Sequence, residues 1–244
     1  MKHIKDNFLV VSDYNWLPDN LEESWVHKYS DNYLIYDRYH RYPESDKVKH
    51  QTNVGQNMYD IFDYIITNYH SLPENIIFCK ASFMYKKDDG IIRYDANGKR
   101  LATGNCSEEY FLKNANNTYL TELHDFFTEP HRFDGISNKI GPDNSYLEIY
   151  NSWYFTLAKG KYYNDINKFF QDMYVNPPNH QYFRFAPGGN YIIPKANILK
   201  YSLKFYEQIR TILSWNVTSG EAHMVERAVY TIFTCNYEVR DEYK

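Results

Sequence analysis

Apolar residues recur along this chain in two periods. Met58, Ile61, Phe62, Ile65, Ile66 and Tyr69 stand mostly three and four apart, which predicts one amphipathic helix over residues 53–69 with a single buried stripe. Ser71-Leu72-Pro73-Glu74 ends it, and Ile76-Ile77-Phe78-Cys79-Lys80 follows as a short apolar strand. Two more buried strands precede the helix. Phe8-Leu9-Val10-Val11 runs out at Ser12-Asp13-Tyr14-Asn15, and Tyr33-Leu34-Ile35-Tyr36 runs out at Asp37-Arg38. The polar, Trp-containing segment between them reads as helical over residues 21–29. Strand, connection, strand, helix, strand is the order of a parallel α/β sheet.

Asn53 and Gln56, three residues apart, form a capping-box-like pair at the start of the long helix. Its first amides then face outward beside the strand ends, a place suited to a phosphate or diphosphate. Further along, Asp88-Asp89-Gly90 and Asn97-Gly98 are turn signals around a hairpin strand, Ile91-Ile92-Arg93-Tyr94. Residues 108–113 fit a helical turn, and residues 124–142, with Pro130, Gly135 and Gly141, read as loop. Residues 147–157 fit either strand or helix, while Ile166, Phe169 and Phe170 favour helix over 162–173.

The C-terminal third is patterned more plainly. Tyr182-Phe183-Arg184-Phe185 leads through Ala186-Pro187-Gly188-Gly189-Asn190 into the strand Tyr191-Ile192-Ile193. A single helix is expected from Pro194-Lys195-Ala196-Asn197 through Ile198, Tyr201, Phe205, Ile209 and Ile212. Thr218-Ser219-Gly220-Glu221 reads as the capping box of a last helix carrying Ala222, Val225, Val229, Ile232 and Phe233. No repeat or low-complexity linker interrupts the chain, so residues 1–244 are expected to form one domain.

Composition narrows the function. A hydrophobic share of 43% with 24% charged residues is that of a folded protein. The net charge of −4, without a basic stripe, gives no footprint for nucleic acid. Cys79, Cys106 and Cys235 make neither a metal-ligand spacing nor a disulfide framework, which favours a reducing, cytoplasmic setting. The sequons at Asn105, Asn116 and Asn216 matter only in a secretory lumen. No run approaches the ~20 apolar residues of a membrane span, and the one at residues 8–11 is too short for a signal core. Peripheral membrane contact and oligomeric state are left open. The 26 Tyr, 15 Phe and 4 Trp fit sugar-stacking surfaces or a coding bias equally well.

Ligands of open α/β sheets bind outside the carboxyl ends of the strands. That rule nominates Asp13 and Asn15, Asp37 and Arg38, and Lys80 and Ser82, with Asn53 and Gly55 at the helix start, as residues around a nucleotide. Asp and Asn are also common in turns for local reasons. Glu226 shares a face with apolar residues of the last helix, so it is either paired or open to a cleft with a raised pKa. His223, Arg227 and Arg184 are its expected neighbours, and Glu221 is a weaker candidate acid because capping already accounts for it. Gly188-Gly189 marks a tight turn or a close backbone approach. His124, His131 and His180 stand isolated. There is no P-loop, GxGxxG, nucleophile elbow or zinc motif.

The ordered blocks Val10-Val11-Ser12-Asp13-Tyr14-Asn15, Asn53-Val54-Gly55, Leu72-Pro73 before Ile77-Phe78, Phe185-Ala186-Pro187-Gly188-Gly189-Asn190-Tyr191-Ile192 and Val225-Glu226-Arg227 cover most of the chain. In this order they resemble small glycosyltransferase-like families of the GT-A fold, found in microbes and large DNA viruses, several of them of unassigned function. The resemblance implies a Rossmann-like, mostly parallel α/β sheet flanked by helices. Residues 1–120 would hold a UDP- or GDP-linked sugar and residues 121–244 a saccharide acceptor. It also implies hexosyl or pentosyl transfer, with Gly188 and Gly189 on the acceptor side and Glu226 as a catalytic or acceptor-orienting acid. By their positions, Glu221 stands as a second candidate acid and Arg184 and His223 as acceptor-binding residues. Many such proteins carry an Asp-x-Asp pair that holds Mn²⁺ or Mg²⁺ at the central strand end. Here that place reads Lys80-Ala81-Ser82, with Lys80 as a substitute charge, and metal dependence is left open. Rival readings are a sugar nucleotidyltransferase, which would need more basic residues, and an inactive carbohydrate-binding or assembly protein.

Overall fold

The computed structural model describes residues 2–85, 105–125 and 134–244. Strand β1 (Phe8–Asp13) leads through a 3-10 turn (Leu21–Glu23) and helix α1 (Trp25–Tyr29) to β2 (Tyr33–Asp37) and β3 (Val48–His50). Helix α2 (Gln56–Asn68) and strand β4 (Asn75–Lys80) follow, then β5 (Met84–Tyr85), β6 (Cys106–Ser107), α3 (Glu108–Asn114) and β7 (Thr121–Glu122). After β8 (Asn138–Ile140), β9 (Tyr146–Ile149), α4 (Tyr154–Leu157) and α5 (Ile166–Met173) come β10 (Tyr182–Arg184) and β11 (Tyr191–Pro194). Helices α6 (Lys195–Ile198), α7 (Leu203–Leu213) and α8 (Gly220–Thr234) complete the layers.

The fold is α/β, built on a six-stranded sheet in the order β3-β2-β1-β4-β11-β7. Strands β1, β2, β3 and β4 run parallel, and β11 runs against both β4 and β7. This arrangement is compatible with a Rossmann-like fold. Strands from both expected halves of the chain share this sheet. A three-stranded antiparallel sheet, β10-β9-β8, stands apart from it.

Side chains alternate across a strand, and that parity divides the core. Val10, Tyr36, Ile76, Phe78, Tyr191 and Ile193 face α2, α7 and α8, whereas Leu9, Val11, Ile35, Ile77, Cys79 and Ile192 face the layer holding α1 and α3. Both faces of β1 and β4 are therefore covered, which is why these strands read as unbroken apolar runs.

Several local expectations are corrected. Asn53 and Gln56 do not cap α2. The helix starts at Gln56, its cap is Gly55 at φ 60°, and no side chain caps it. The Arg38 guanidinium instead collects the carbonyls of Thr52, Val54 and Gln56, and that grip sets the course of the loop. Gly55 is required there, because a Cβ would lie 2.6 Å from the Leu213 carbonyl oxygen.

Similar local devices override periodicity elsewhere. Ser24 caps α1 and splits residues 21–29 in two. The helix expected from Lys195 onward also breaks, since Ser202 accepts the Phe205 amide and starts α7 afresh. Helix α8 is capped by Ser219, while Glu221 turns away from the capping box. Residues 138–140 of the expected loop form β8, and residues 147–157 divide between β9 and α4. The turns at Asp88-Asp89-Gly90 and Asn97-Gly98, the hairpin strand at residues 91–94, Pro130 and His131 lie outside the described residues.

Candidate functional site

Because β11 runs antiparallel to β4, its entry turn comes back to the carboxyl end of β4. Pro187 and Gly188 turn the chain there with Gly188 at φ 83°, and the Gly189 amide donates to the Ala186 carbonyl at 2.8 Å. Proline followed by a positive-φ glycine is the chemistry of a type II turn. A Cβ on Gly188 would meet Asn105 Nδ2 at 2.5 Å and Asn190 Nδ2 at 2.8 Å, so the position is crowded as well as left-handed.

Helices α2 and α8, strand β4 and the segment before β6 meet at this one residue. The Gly188 carbonyl accepts from Asn57 Nδ2 in the first turn of α2 at 2.6 Å, and its amide donates to Glu226 Oε1 of α8 at 2.5 Å. Lys80, at the end of β4, brings its Cε to 3.6 Å from where a Gly188 Cβ would stand. Asn190 accepts from the Lys80 amide at 3.0 Å and donates to the Pro187 carbonyl at 3.1 Å, and Asn105 donates to the same carbonyl at 2.6 Å. Three asparagines thus lock the turn against strand, loop and helix.

Charge is arranged around the turn. Arg227 binds Glu148 through Nε at 2.8 Å and Nη2 at 3.2 Å, and Glu226 Oε2 through Nη1 at 2.6 Å. His223 Nδ1 lies 3.9 Å from Glu226 Oε2, in ion-pair range, one helical turn back. Burial would raise the Glu226 carboxyl. Contact with His223, then the charges of Arg227 and Lys80, outweigh it and bring the pKa down to about 2. A carboxylate so weakly basic is a poor proton acceptor at neutral pH. Among the described residues, the Lys80 ammonium has no ion pair within 4.0 Å.

The remaining candidates sit elsewhere or serve the scaffold. Asp13 and Asp37 are register partners on neighbouring strands. By parity they share the Val11 and Ile35 face, opposite to the Phe78 and Lys80 face that packs on α2. Their oxygens hold the following loops. Asp13 accepts from the Trp16 and Leu17 amides and from Arg41, and Asp37 accepts from the Tyr39 and Tyr42 amides. The structure therefore brings the two aspartates together, but not to the start of α2.

Arg38 is on the α2 face, and all its N–H groups are engaged by the three loop carbonyls and Asp60. Asn53 Oδ1 is buried without a hydrogen bond among the described residues, and Asn15 is exposed at φ 67°. Ser82 is partly buried just beyond β4. Glu221 is fully buried, accepting the amides of Lys161, Tyr162 and Tyr163 and the Trp215 indole N–H, which makes it a loop anchor.

Arg184 pairs with Glu122 at 2.5 Å and with Asp143, not with Glu226. His124, which the sequence leaves isolated, is buried with Nε2 3.8 Å from Glu122. His180 is half-buried among Phe170, Phe183 and Tyr237, and that burial lowers its pKa. Asn57, Asn105, Asn190 and Glu148 escaped the sequence reading. Only Asn190, directly after Gly-Gly, carries a local signal. A polar depression of about 500 Å³ near Tyr150, Asp165, Asn167 and His180 includes none of the Gly188 cluster.

No family model, curated protein or solved structure matches the chain. Among the described residues no helix is long and apolar enough to cross a membrane, and no group of three His, Cys, Asp or Glu side chains could hold a metal ion.

Proposed function

We propose that the chain is a glycosyltransferase with a GT-A-like fold, moving a sugar from a nucleoside-diphosphate donor to a saccharide acceptor. The observation that carries this reading is the convergence on Gly188 of Lys80, whose ammonium has no ion pair among the described residues, and the first turn of α2, which no side chain among them caps. Both lie at the carboxyl edge of the sheet, where open α/β folds take ligands. An ammonium beside helix N-terminal amides suits a diphosphate. Asp13 and Asp37, on the other face, have no part in this reading.

In the transfer, the acceptor hydroxyl oxygen bonds to the anomeric carbon of the sugar as the bond from that carbon to the diphosphate oxygen breaks. The nucleoside diphosphate leaves with the electron pair, and Lys80 offsets its charge. The hydroxyl proton passes to His223 Nε2, while Glu226 steadies the resulting imidazolium across the 3.9 Å contact. Glu226 is thus a positioning residue and not the base. The end of β4 offers an ammonium, Ala81 and one hydroxyl, which do not fit a divalent ion, so no step here runs through a metal.

A thermal-shift screen of UDP, GDP and their sugar conjugates, with and without Mn²⁺, tests the reading. Binding raises the melting temperature by mass action, with about 2.7 kcal/mol gained at a hundredfold excess over Kd. One nucleoside diphosphate is expected to stabilise the protein without metal, and Lys80→Met to abolish the shift while the unliganded protein still melts in one cooperative transition. Absence of a shift with every nucleotide would sink the proposal.

A further inference from the structure

Arg227 is only 6% exposed, and three rings cover what its carboxylate partners leave open. Phe185, Tyr154 and Trp153 have their centroids 4.6, 5.0 and 5.4 Å from the guanidinium carbon. Phe185 and Tyr154 are core residues, but Trp153 is 39% exposed. Its indole is backed by the guanidinium and stands edge-on to Tyr154 at 6.0 Å.

The backbone fixes its placement. Ser152 is left-handed at φ 50°, an unfavourable conformation for a residue with a side chain, and Asn151 Oδ1 accepts the Trp153 amide at 3.2 Å. Beside the indole, Arg227 carries Glu226, whose side chain is 15% exposed, and Tyr154 carries His223, 26% exposed, with rings 6.2 Å apart.

A pyranose ring has an apolar face of C–H groups bordered by hydroxyls. It is matched by a flat aromatic surface with a carboxylate and an imidazole at its margin. A negatively charged ligand is disfavoured there, because the acceptor at the margin is the Glu226 carboxylate. We infer that Trp153 is the stacking platform for a neutral saccharide ring of the acceptor, with Glu226 and His223 taking its hydroxyls. This rests on the transferase reading and extends it to the acceptor's class.

The test is a printed array of neutral oligosaccharides, followed by saturation-transfer NMR on whatever glycans are retained. Wild-type protein is expected to retain at least one glycan, Trp153→Ala to bind it at least tenfold more weakly, and Trp153→Phe, which keeps a flat ring, to stay within threefold. The nucleotide-induced thermal shift of each variant, read on the same sample, reports that the donor side is folded. If no glycan is retained, or if Trp153→Ala retains the same glycans undiminished, the platform is refuted. A lost nucleotide shift in wild-type protein with glycan binding intact would overturn the transferase reading alone and leave a saccharide site.

Discussion

At the scale of single residues, Glu226 shows how neighbours decide chemistry. Its helix face predicts a carboxylate in an apolar setting, yet against that burial His223, Arg227 and Lys80 hold it ionised, with its pKa brought from 4.5 to about 2. A carboxyl with a depressed folded pKa contributes stability that is present above the unfolded value and lost as pH falls through the folded one. Wild-type protein should therefore lose stability between about pH 4.5 and pH 2, by roughly 3 kcal/mol from this group at most. Glu226→Gln removes that dependence. Denaturant titrations of both proteins at pH 5, 4, 3 and 2 should show the difference between them shrinking as pH falls. A difference that stays constant would mean that the carboxylate is not held by these charges.

The element with most at stake is α2. Its start is fixed by Arg38, which joins the end of β2 to three carbonyls of the 52–56 segment and to Asp60 within the helix. Burial pushes the Asp60 carboxyl up to about 6 despite Arg38 and a Ser12 hydrogen bond, so the pair is costly to expose singly. Lysine keeps the charge but cannot reproduce five N–H groups spread over a plane. Arg38→Lys should lower stability by more than about 2 kcal/mol and speed amide exchange in the 52–58 segment ahead of the rest of α2. Unchanged exchange there would show that the loop is held by something else. The same grip explains why a convincing capping pair, Asn53 and Gln56, caps nothing: carbonyls drawn to a guanidinium set the backbone before a side chain can.

For the whole molecule, the central strands carry the greatest coverage. Strands β1 and β4 each have neighbours on both edges and apolar layers on both faces, whereas β8, β9 and β10 form a small separate sheet. Global unfolding should therefore be needed to exchange the amides of Val10, Val11, Ile77 and Phe78, while β8–β10 exchanges through cheaper local openings. Native-state hydrogen exchange checks this, and equal protection in the small sheet would contradict it.

The apolar runs alone were enough to determine β1, β2, β4 and β11, the long helix between β2 and β4, and the final helix. Burial on both faces writes Val, Ile and Phe continuously into a strand, and burial on one face writes a 3.6-residue stripe into a helix. The sequence grouped Asp13 and Asp37 with Lys80 around one nucleotide, and the strand register, which depends on the tertiary structure, puts the two aspartates on the face opposite to Lys80. Strands β3 and β7, of 3 and 2 residues, are too short to carry a period, and their pairing depends on neighbours distant in sequence. Only the tertiary structure decided that Gly188 is the meeting point. Asn57, Asn105, Asn190, Glu148 and Trp153 come from separate elements, and no local spacing encodes contacts closed by chain crossovers of tens of residues. The charge state of Glu226 was decided in the same way, because a pKa belongs to an environment and not to a residue.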